Sequence, residues 1–228
     1  TSKMVFSVVG NISFKKAVNR LAPLLSNIPT SRSTKKRIPS LTYVPKSNAF
    51  HKDISQANCA LGKPALSIHD PRRYKLHLLN NILGGPSMNS RLNMALREKH
   101  GLVYSIESVY QAFTDTGFIG IYYGTEEKAA AKARNIVLKE IQRICTRKLG
   151  SMQLHMGKEQ AIGQMAMAEE NHAGLMLVYG KNLLDKGKIE PLEAIFSSIR
   201  SCTAEELLEL ANEIYDIDKF SFLTYLPK

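Results

Sequence analysis

The sequence predicts an α+β fold in which helices cover one face of an antiparallel or mixed β-sheet. Two alternating segments, GLVYSIESVYQAF (101–113) and TGFIGIYYGT (116–125), are joined by a short connection typical of a β-hairpin. Helical periodicity then dominates until a short alternating strand, KFSFLTYLP (219–227), closes the chain. Hairpin-linked strands with helices gathered in one run are typical of an α+β domain.

The N-terminal segment combines a predicted strand with a predicted helix. Residues 4–10 alternate as a half-buried strand does, and Ser13 then caps an apolar helical face that Pro29 ends. The first ten residues have no signal-peptide pattern and begin without Met, so we expect a piece of a longer protein.

Positive charge is concentrated near the N-terminus. Residues 1–50 hold nine Lys and Arg and no acidic residue, in a chain of net charge +11. The densest run, SRSTKKRIPS (31–40), is rich in Ser, Thr and Pro, which favours a solvated basic linker over residues 30–48. A nucleic-acid patch is the alternative, but no interleaved aromatic residues or known motif support it.

The central elements follow in order. FHKDISQANCALG (50–62) has the alternation of a strand, and Asp70 with Pro71 begins a helix that Gly84-Gly85 ends. We expect Ser87 to cap a second helix, MNSRLNMALREKH (88–100).

The C-terminal part is mainly helical. EEKAAAKARNIVLKEIQRI (126–144) predicts an amphipathic helix, and residues 151–186 continue the helical pattern. Two more helices follow, PLEAIFSSIR (191–200) and TAEELLELANEIY (203–215), and the second opens on a capping box of Thr203 and Glu206.

No complete catalytic constellation is visible in the sequence. It contains neither H-E-x-x-H nor H-x-x-E-H, and it lacks G-x-S-x-G and the P-loop motif. His155 and Glu159 share a helix face but fall short of the three protein ligands of a zinc site. Three widely spaced cysteines favour reduced thiols, and no apolar run is long enough to span a membrane.

In the stretch LREKHGLVYSI (96–106), an arginine and a tyrosine lie on either side of a glycine that is expected to form a turn. Arg97 stands at the end of a predicted helix, and Tyr104 begins a predicted strand seven residues later. Two structural interpretations stay open beside a functional one. Arg97 could be a cation favoured by the helix dipole, and Tyr104 an inward-facing aromatic of the strand.

The stretch ILGGPSMNSRLNMALREKHGLVYSIESVYQAFTDTGFIGIYYGT (82–125) resembles the C-terminal homologous half of the pitrilysin/insulinase family of zinc metallopeptidases. The bacterial branch that is similar to the mitochondrial processing peptidase looks closest. The resemblance extends over residues 49–228, which implies a C-terminal peptidase-family domain there. Residues 1–29 resemble the closing strand and helix of a preceding N-terminal half.

The resemblance implies a zinc-dependent endopeptidase made of two similar halves that close over an extended peptide. Its zinc motif would lie in the absent N-terminal half, so this chain would bind no metal and hold no complete set of catalytic residues. The family pattern R-x-x-x-x-x-x-Y falls on Arg97 and Tyr104, which implies that they bind substrate. The alternative is a non-catalytic structural or binding subunit of the same fold that pairs with an active partner.

The implied partners are a zinc-bearing half, in the same chain or in a partner subunit, and a peptide substrate. Neither nucleic acid nor membrane is expected as a partner, and a homodimer or heterodimer is left open. The compartment is also left open between bacterial cytoplasm and periplasm.

Overall fold

The computed structural model describes residues 4–31 and 42–228. The chain divides into two compact units. The first comprises Thr1–Pro39 and Ile162–Ile195, and the second, which we call the sheet unit, comprises Ser40–Ala161 and Phe196–Lys228. The centre of the predicted basic linker, residues 32–41, lies outside the described residues.

The sheet unit contains a mixed five-stranded sheet with the order β1-β5-β2-β4-β3. The strands are β1 Ser47–Lys52, β2 Ala57–Ala65, β3 Val103–Ala112, β4 Gly117–Thr125 and β5 Ser221–Pro227. β1 runs parallel to β5, and the other neighbouring pairs are antiparallel. The predicted α+β class with a mixed sheet is thereby confirmed.

Seven α-helices accompany the sheet in the described parts of the chain. They are α1 Phe14–Leu25, α2 Arg73–Gly84, α3 Ala130–Thr146, α4 Ser151–Ala168, α5 His172–Lys186, α6 Leu192–Arg200 and α7 Ala204–Ile214. A π-helical segment, Asn93–Glu98, precedes β3. None of the described helices is long and apolar enough to cross a bilayer.

Alternation along the strands gives the sheet one buried face and one accessible face. Leu61 and Ile121 are buried on the helix-covered side, beneath apolar residues such as Leu79 of α2 and Ile141 of α3. We call the opposite side the open face. Its central positions are Asn58, Ala60, Glu107, Tyr122, Gly124, Leu223 and Tyr225.

A buried polar contact fixes β3 against α2. Asn80 donates through Nδ2 to the carbonyl oxygen of Ser108 at 2.8 Å, and the Ser108 hydroxyl donates to Asn80 Oδ1 at 2.6 Å. Both residues are buried, so each bond satisfies a group that would otherwise lose solvation without compensation. The strand that carries Tyr104 is therefore held by directional bonds as well as by apolar packing.

Three sequence-based predictions of secondary structure were wrong. The strand predicted within 50–62 is two strands, β1 and β2, separated by a turn at 53–56. The structure assigns no strand to residues 4–9, since a strand needs a neighbour for its backbone hydrogen bonds and none of the described residues supplies one. The first helix ends at Leu25 rather than at Pro29 and holds Pro23 within its last turn.

Two helix starts also differ from the sequence-based prediction. α2 begins at Arg73, because the carboxylate of Asp70 accepts a hydrogen bond from the Arg72 backbone at 2.8 Å in a turn that precedes the helix. The helix expected from Ser87 begins at Arg91 and continues as the π-helical segment.

The capping box of α7 is confirmed and supports a stability prediction. The Thr203 hydroxyl accepts from the Glu206 backbone N–H at 3.2 Å, and the Glu206 carboxylate accepts from the Thr203 N–H at 3.0 Å. We expect Thr203→Ala to lower the free energy of unfolding, measured by urea denaturation, by about 1 kcal/mol. Thr203→Ser keeps the hydroxyl, so we expect this variant to retain most of the free energy of unfolding that Thr203→Ala loses. Equal losses in the two variants would contradict the role of the cap.

Candidate functional site

Arg97 and Tyr104 meet at the corner between the π-helical segment and β3. The guanidinium carbon of Arg97 lies 5.8 Å from the centroid of the Tyr104 ring, within the range of a cation–π contact. Tyr104 is 88% exposed, and the Arg97 side chain is 41% exposed. The interpretation of Tyr104 as an inward-facing strand aromatic is therefore wrong.

Backbone hydrogen bonds fix the corner between the two residues. Gly101 has φ +57°, a left-handed conformation that glycine adopts without steric cost, and its N–H donates to the Arg97 carbonyl oxygen at 3.0 Å. The Leu102 N–H donates to the Leu96 carbonyl oxygen at 2.9 Å, and the Leu102 carbonyl accepts from the Thr125 hydroxyl at 2.7 Å. The corner therefore holds Arg97 at a set position relative to β3 and β4.

The buried neighbours of the pair direct both side chains outward. Leu96 is 0% exposed and Val103 is 7% exposed, so each anchors the residue that follows it along the chain. The π-helical turn carries the hydrogen bond from the Lys99 N–H to the Met94 carbonyl oxygen at 3.0 Å. Such wide turns occur frequently at functional sites.

An irregularity in β3 adds to the outward placement of Tyr104. The register between β3 and β4 shifts between Val103 and Ile106, so that Tyr104 and Ser105 are both exposed in succession. Bulges of this kind change the direction of a side chain and are common beside functional sites. The alternation of apolar and polar residues in the sequence does not predict this shift, because no particular residue type marks the extra residue of a bulge.

Tyr104 forms part of the wall of an open cavity of about 570 Å³. Gln56, Gly101, Gly124 and Glu126 contribute to the same wall, which joins the end of β4 to the corner. A second depression of about 370 Å³ lies on the open face and shares Gln56 and Gly124 with the first. The cavity beside Tyr104 therefore continues onto the open face of the sheet.

The polar groups of the pair are available to a ligand. Among the described residues, the Tyr104 hydroxyl has no hydrogen-bond partner, and the ionic partner of Arg97 is Glu98, with 3.6 Å between Arg97 Nε and Glu98 Oε1. An arginine carries several donors and stays charged at all physiological pH values, while a tyrosine hydroxyl can donate one hydrogen bond. The arrangement can therefore bind a carbonyl oxygen or another electron-rich group.

The described residues contain neither a candidate metal site nor a thiol activated as a nucleophile. Within residues 4–31 and 42–228, no group of three His, Cys, Asp or Glu side chains could hold a metal ion. Burial raises the pKa of the Cys145 thiol to about 11, and it also raises the pKa values of Cys59 and Cys202. A thiol with a raised pKa is a poor nucleophile at neutral pH.

Comparison with protein families gives one extensive match. The model for the peptidase M16 inactive domain matches residues 1–160. The uncharacterized zinc protease YmxG of Bacillus subtilis is 32% identical over 167 residues, which are 73% of this chain and 41% of YmxG. An uncharacterized zinc protease of Rickettsia felis is 29% identical over 215 residues, 93% of this chain and 51% of that protein.

Solved structures with the same fold include a peptidase M16 inactive domain from Pseudomonas fluorescens, with a TM-score of 0.84 at 20% identity. That match covers 96% of this chain and 53% of the other chain. A chain of complex III2 from Candida albicans has a TM-score of 0.81 at 16% identity, with coverages of 96% and 53%. This chain spans about half the length of the curated relatives that it matches.

Proposed function

Because the chain belongs to the peptidase M16 family, in which it matches the inactive domain, we propose that it is the C-terminal domain of a zinc-dependent endopeptidase. In this proposal the domain closes over an extended peptide and supplies contacts to the substrate and the transition state. The zinc site lies in an N-terminal half outside the described residues. The names of the relatives, which call them zinc proteases, support the metal and the reaction.

The exposed pair of Arg97 and Tyr104 is the observation that carries the proposal. Both residues project from a hydrogen-bonded corner, Tyr104 lines an open cavity, and Arg97 lies against the Tyr104 ring. Negative charge develops on the carbonyl oxygen when a peptide bond is hydrolysed, and donors aimed at that oxygen stabilise the transition state. Tyr104 is suited to donate to this oxygen, and Arg97 is suited to hold the adjoining peptide backbone.

Zinc bound in the other half would polarise the carbonyl group and activate water. The task of this domain is then to bring the two donors to the substrate when the halves close. Closure would exclude water and complete the site only around a bound peptide. Such an arrangement explains why a domain without a metal-binding cluster among its described residues carries outward-facing donors.

We also propose the division of the chain into a trailing piece of the preceding half (1–29), a basic linker (30–48) and the C-terminal domain (49–228). Two features of the described part of the trailing piece support its assignment to another domain, although it lies in the same compact unit as Ile162–Ile195. Residues 4–9 have no strand partner among the described residues, and Phe14 of α1 is 85% exposed. A strand sequence without a strand partner and an amphipathic helix without buried residues both leave apolar surface that a further domain can cover.

The second candidate is a non-catalytic subunit of the same fold that pairs with an active partner. The description of the matching family model as an inactive domain fits this candidate as well as the first. The preceding sequence discriminates between them, since the enzyme requires H-x-x-E-H followed by a distant Glu. The exposed Arg97 and Tyr104 favour the enzyme, because a purely structural subunit has no need for a pair of outward-facing donors.

Zinc content and peptide hydrolysis test the proposed function. We expect the full-length protein to contain zinc, to cleave unstructured peptides and to lose this activity with a chelator. The isolated chain of 228 residues should be free of zinc and inactive. Hydrolysis by the isolated chain, or a full-length protein that neither binds zinc nor cleaves peptides, would contradict the proposal.

A further inference from the structure

A cavity of about 230 Å³ lies between α2, α4 and the residues that lead into the π-helical segment. We call it the α2–α4 cavity. All of its lining residues belong to the sheet unit, and it shares none of them with the cavity of Tyr104 or with the depression on the open face. At roughly 30 Å³ per molecule, this space corresponds to about eight water molecules and suits a ligand with about that many non-hydrogen atoms.

Contacts between the two helices fix the walls of the α2–α4 cavity. A Cβ atom on Gly157 of α4 would lie 2.8 Å from Cδ1 of Ile82 on α2, so the two helices lie in close contact beside the cavity. Gln160 Nε2 donates to Asn81 Oδ1 at 3.4 Å between the same helices. The walls are therefore formed by the packing of the protein itself, and a preformed site binds a ligand at a smaller entropic cost.

Arg91 is the single charged residue in this lining, within the part of the chain that the structure describes. Its Nε atom is buried without a hydrogen-bond partner among the described residues, 3.4 Å from Glu140 Oε2. The Arg91 side chain is 24% exposed, and the described residues provide that ion pair but no hydrogen bond to its terminal nitrogens. A guanidinium removed from most of its water and left with unused donors favours an added acceptor, and a carboxylate can accept two of its N–H groups at once.

The charge around Arg91 also favours an anion. The Glu140 side chain is 7% exposed and pairs with both Arg91 and Arg143, and the contact with Arg143 is the closer of the two. Two guanidinium groups thus face one buried carboxylate, which leaves a surplus of one positive charge. Because Arg143 can neutralise Glu140 alone, Arg91 is the group that can take a second anion.

The remaining wall of the α2–α4 cavity is partly apolar. Ile82, Leu149 and Met156 line it, and Leu149 is 6% exposed. A short hydrocarbon chain placed against these residues would lose contact with water, and each buried methylene group favours binding by about fourfold. The lining therefore combines a cation with an apolar wall in a space too small for a drug-sized ligand.

We propose that the α2–α4 cavity binds a small aliphatic carboxylate. The terminal nitrogens of Arg91 donate hydrogen bonds to the carboxylate, and Ile82, Leu149 and Met156 pack against its chain. The site takes no part in peptide cleavage, so the inference goes beyond the proposed function and does not depend on it.

Isothermal titration calorimetry of the full-length protein with hexanoate, butyrate and hexanamide tests the proposal. Hexanoate should bind at least tenfold more tightly than hexanamide, which keeps the chain but has no charge. It should also bind several-fold more tightly than butyrate, which is shorter by two methylene groups. Arg91→Gln should weaken hexanoate binding about tenfold or more and leave hexanamide binding nearly unchanged.

Met156→Trp provides a second variant that leaves the ion pairs of Glu140 in place. Met156 is 54% exposed, so the larger ring can be accommodated at the helix surface while it fills part of the cavity. We expect this variant to weaken hexanoate binding about tenfold or more. Met152→Trp is the matched control, because Met152 is 68% exposed on the same helix, lies outside the lining and should leave binding unchanged.

Two results would overturn the proposal. One is hexanoate binding that is absent or no tighter than hexanamide binding in the wild-type protein. The other is hexanoate binding of equal strength in Met156→Trp and Met152→Trp, a comparison that decides the matter even where circular dichroism shows Arg91→Gln to be unfolded.

Discussion

Replacing Tyr104 with Phe in the full-length protein is expected to lower peptide turnover by about ten- to a thousandfold, the range for loss of one donor to a developing oxyanion. The substitution removes one hydroxyl group and retains the ring, so the contact with Arg97 persists. Measurement of kcat at saturating peptide reports the loss directly. Zinc content should remain equal to that of the wild-type protein, since Tyr104 lies in a chain without a metal cluster among its described residues.

Stability changes cannot account for such a loss. Tyr104 is 88% exposed, and its hydroxyl has no partner among the described residues, so its removal leaves the free energy of unfolding nearly unchanged. Tyr179→Phe on α5 removes the same group from the first unit and should retain full turnover. Wild-type turnover in Tyr104→Phe would show that the hydroxyl does not act in the reaction.

Much of the fold was predictable from local patterns. The hairpin of β3 and β4, the helix α3 and the capping box at Thr203 each depend on residues close together in sequence. The parallel pairing of β1 with β5 joins residues 47–52 to 222–227, and no local pattern reports a contact of that separation. The alternation of residues 4–10 was equally clear, yet it formed no strand because pairing depends on a partner rather than on sequence alone.

The sequence pointed to the residues of the candidate site but not to its geometry. Spacing and family resemblance pointed to Arg97 and Tyr104, and the structure places the two side chains together. Their outward direction depends on a π-helical turn and a register shift, which periodicity does not show. The position of Glu107 opposite Tyr122 follows from the strand register, which the alternation of one strand leaves undetermined.

The glycine pair before the π-helical segment shows a further limit of sequence patterns. The sequence predicts that Gly84-Gly85 ends a helix, and α2 does end at Gly84. The structure gives Gly84 a second role, because a Cβ atom there would lie 2.7 Å from Ser108 Cβ and 2.8 Å from Leu92 Cδ1. The absence of a side chain thus lets α2 approach β3 closely enough for Asn80 and Ser108 to form their hydrogen bonds.

Gly84→Ala is therefore expected to lower the free energy of unfolding by about 1–3 kcal/mol, the usual cost of overpacking a core. The added methyl group would also lie 3.1 Å from the Ser108 backbone nitrogen, so rotation of a side chain alone cannot relieve the contact. β3 must shift away from α2, and its movement would displace Tyr104, four residues before Ser108. Urea denaturation followed by circular dichroism measures the first effect, and kcat of the full-length variant measures the second.

Gly163→Ala provides the matched control, because it adds the same methyl group within α4 where no atom lies within 4 Å of the new Cβ. Alanine is the better helix former by about 1 kcal/mol, so this variant should be as stable as the wild type or more stable. Only Gly84→Ala is thus expected to lower the free energy of unfolding, although both substitutions add the same methyl group. Equal stability of the Gly84→Ala and Gly163→Ala variants would mean that the close packing of α2 on β3 does not depend on the missing side chain. Normal turnover in a destabilised Gly84→Ala variant would mean that the position of Tyr104 does not depend on that packing.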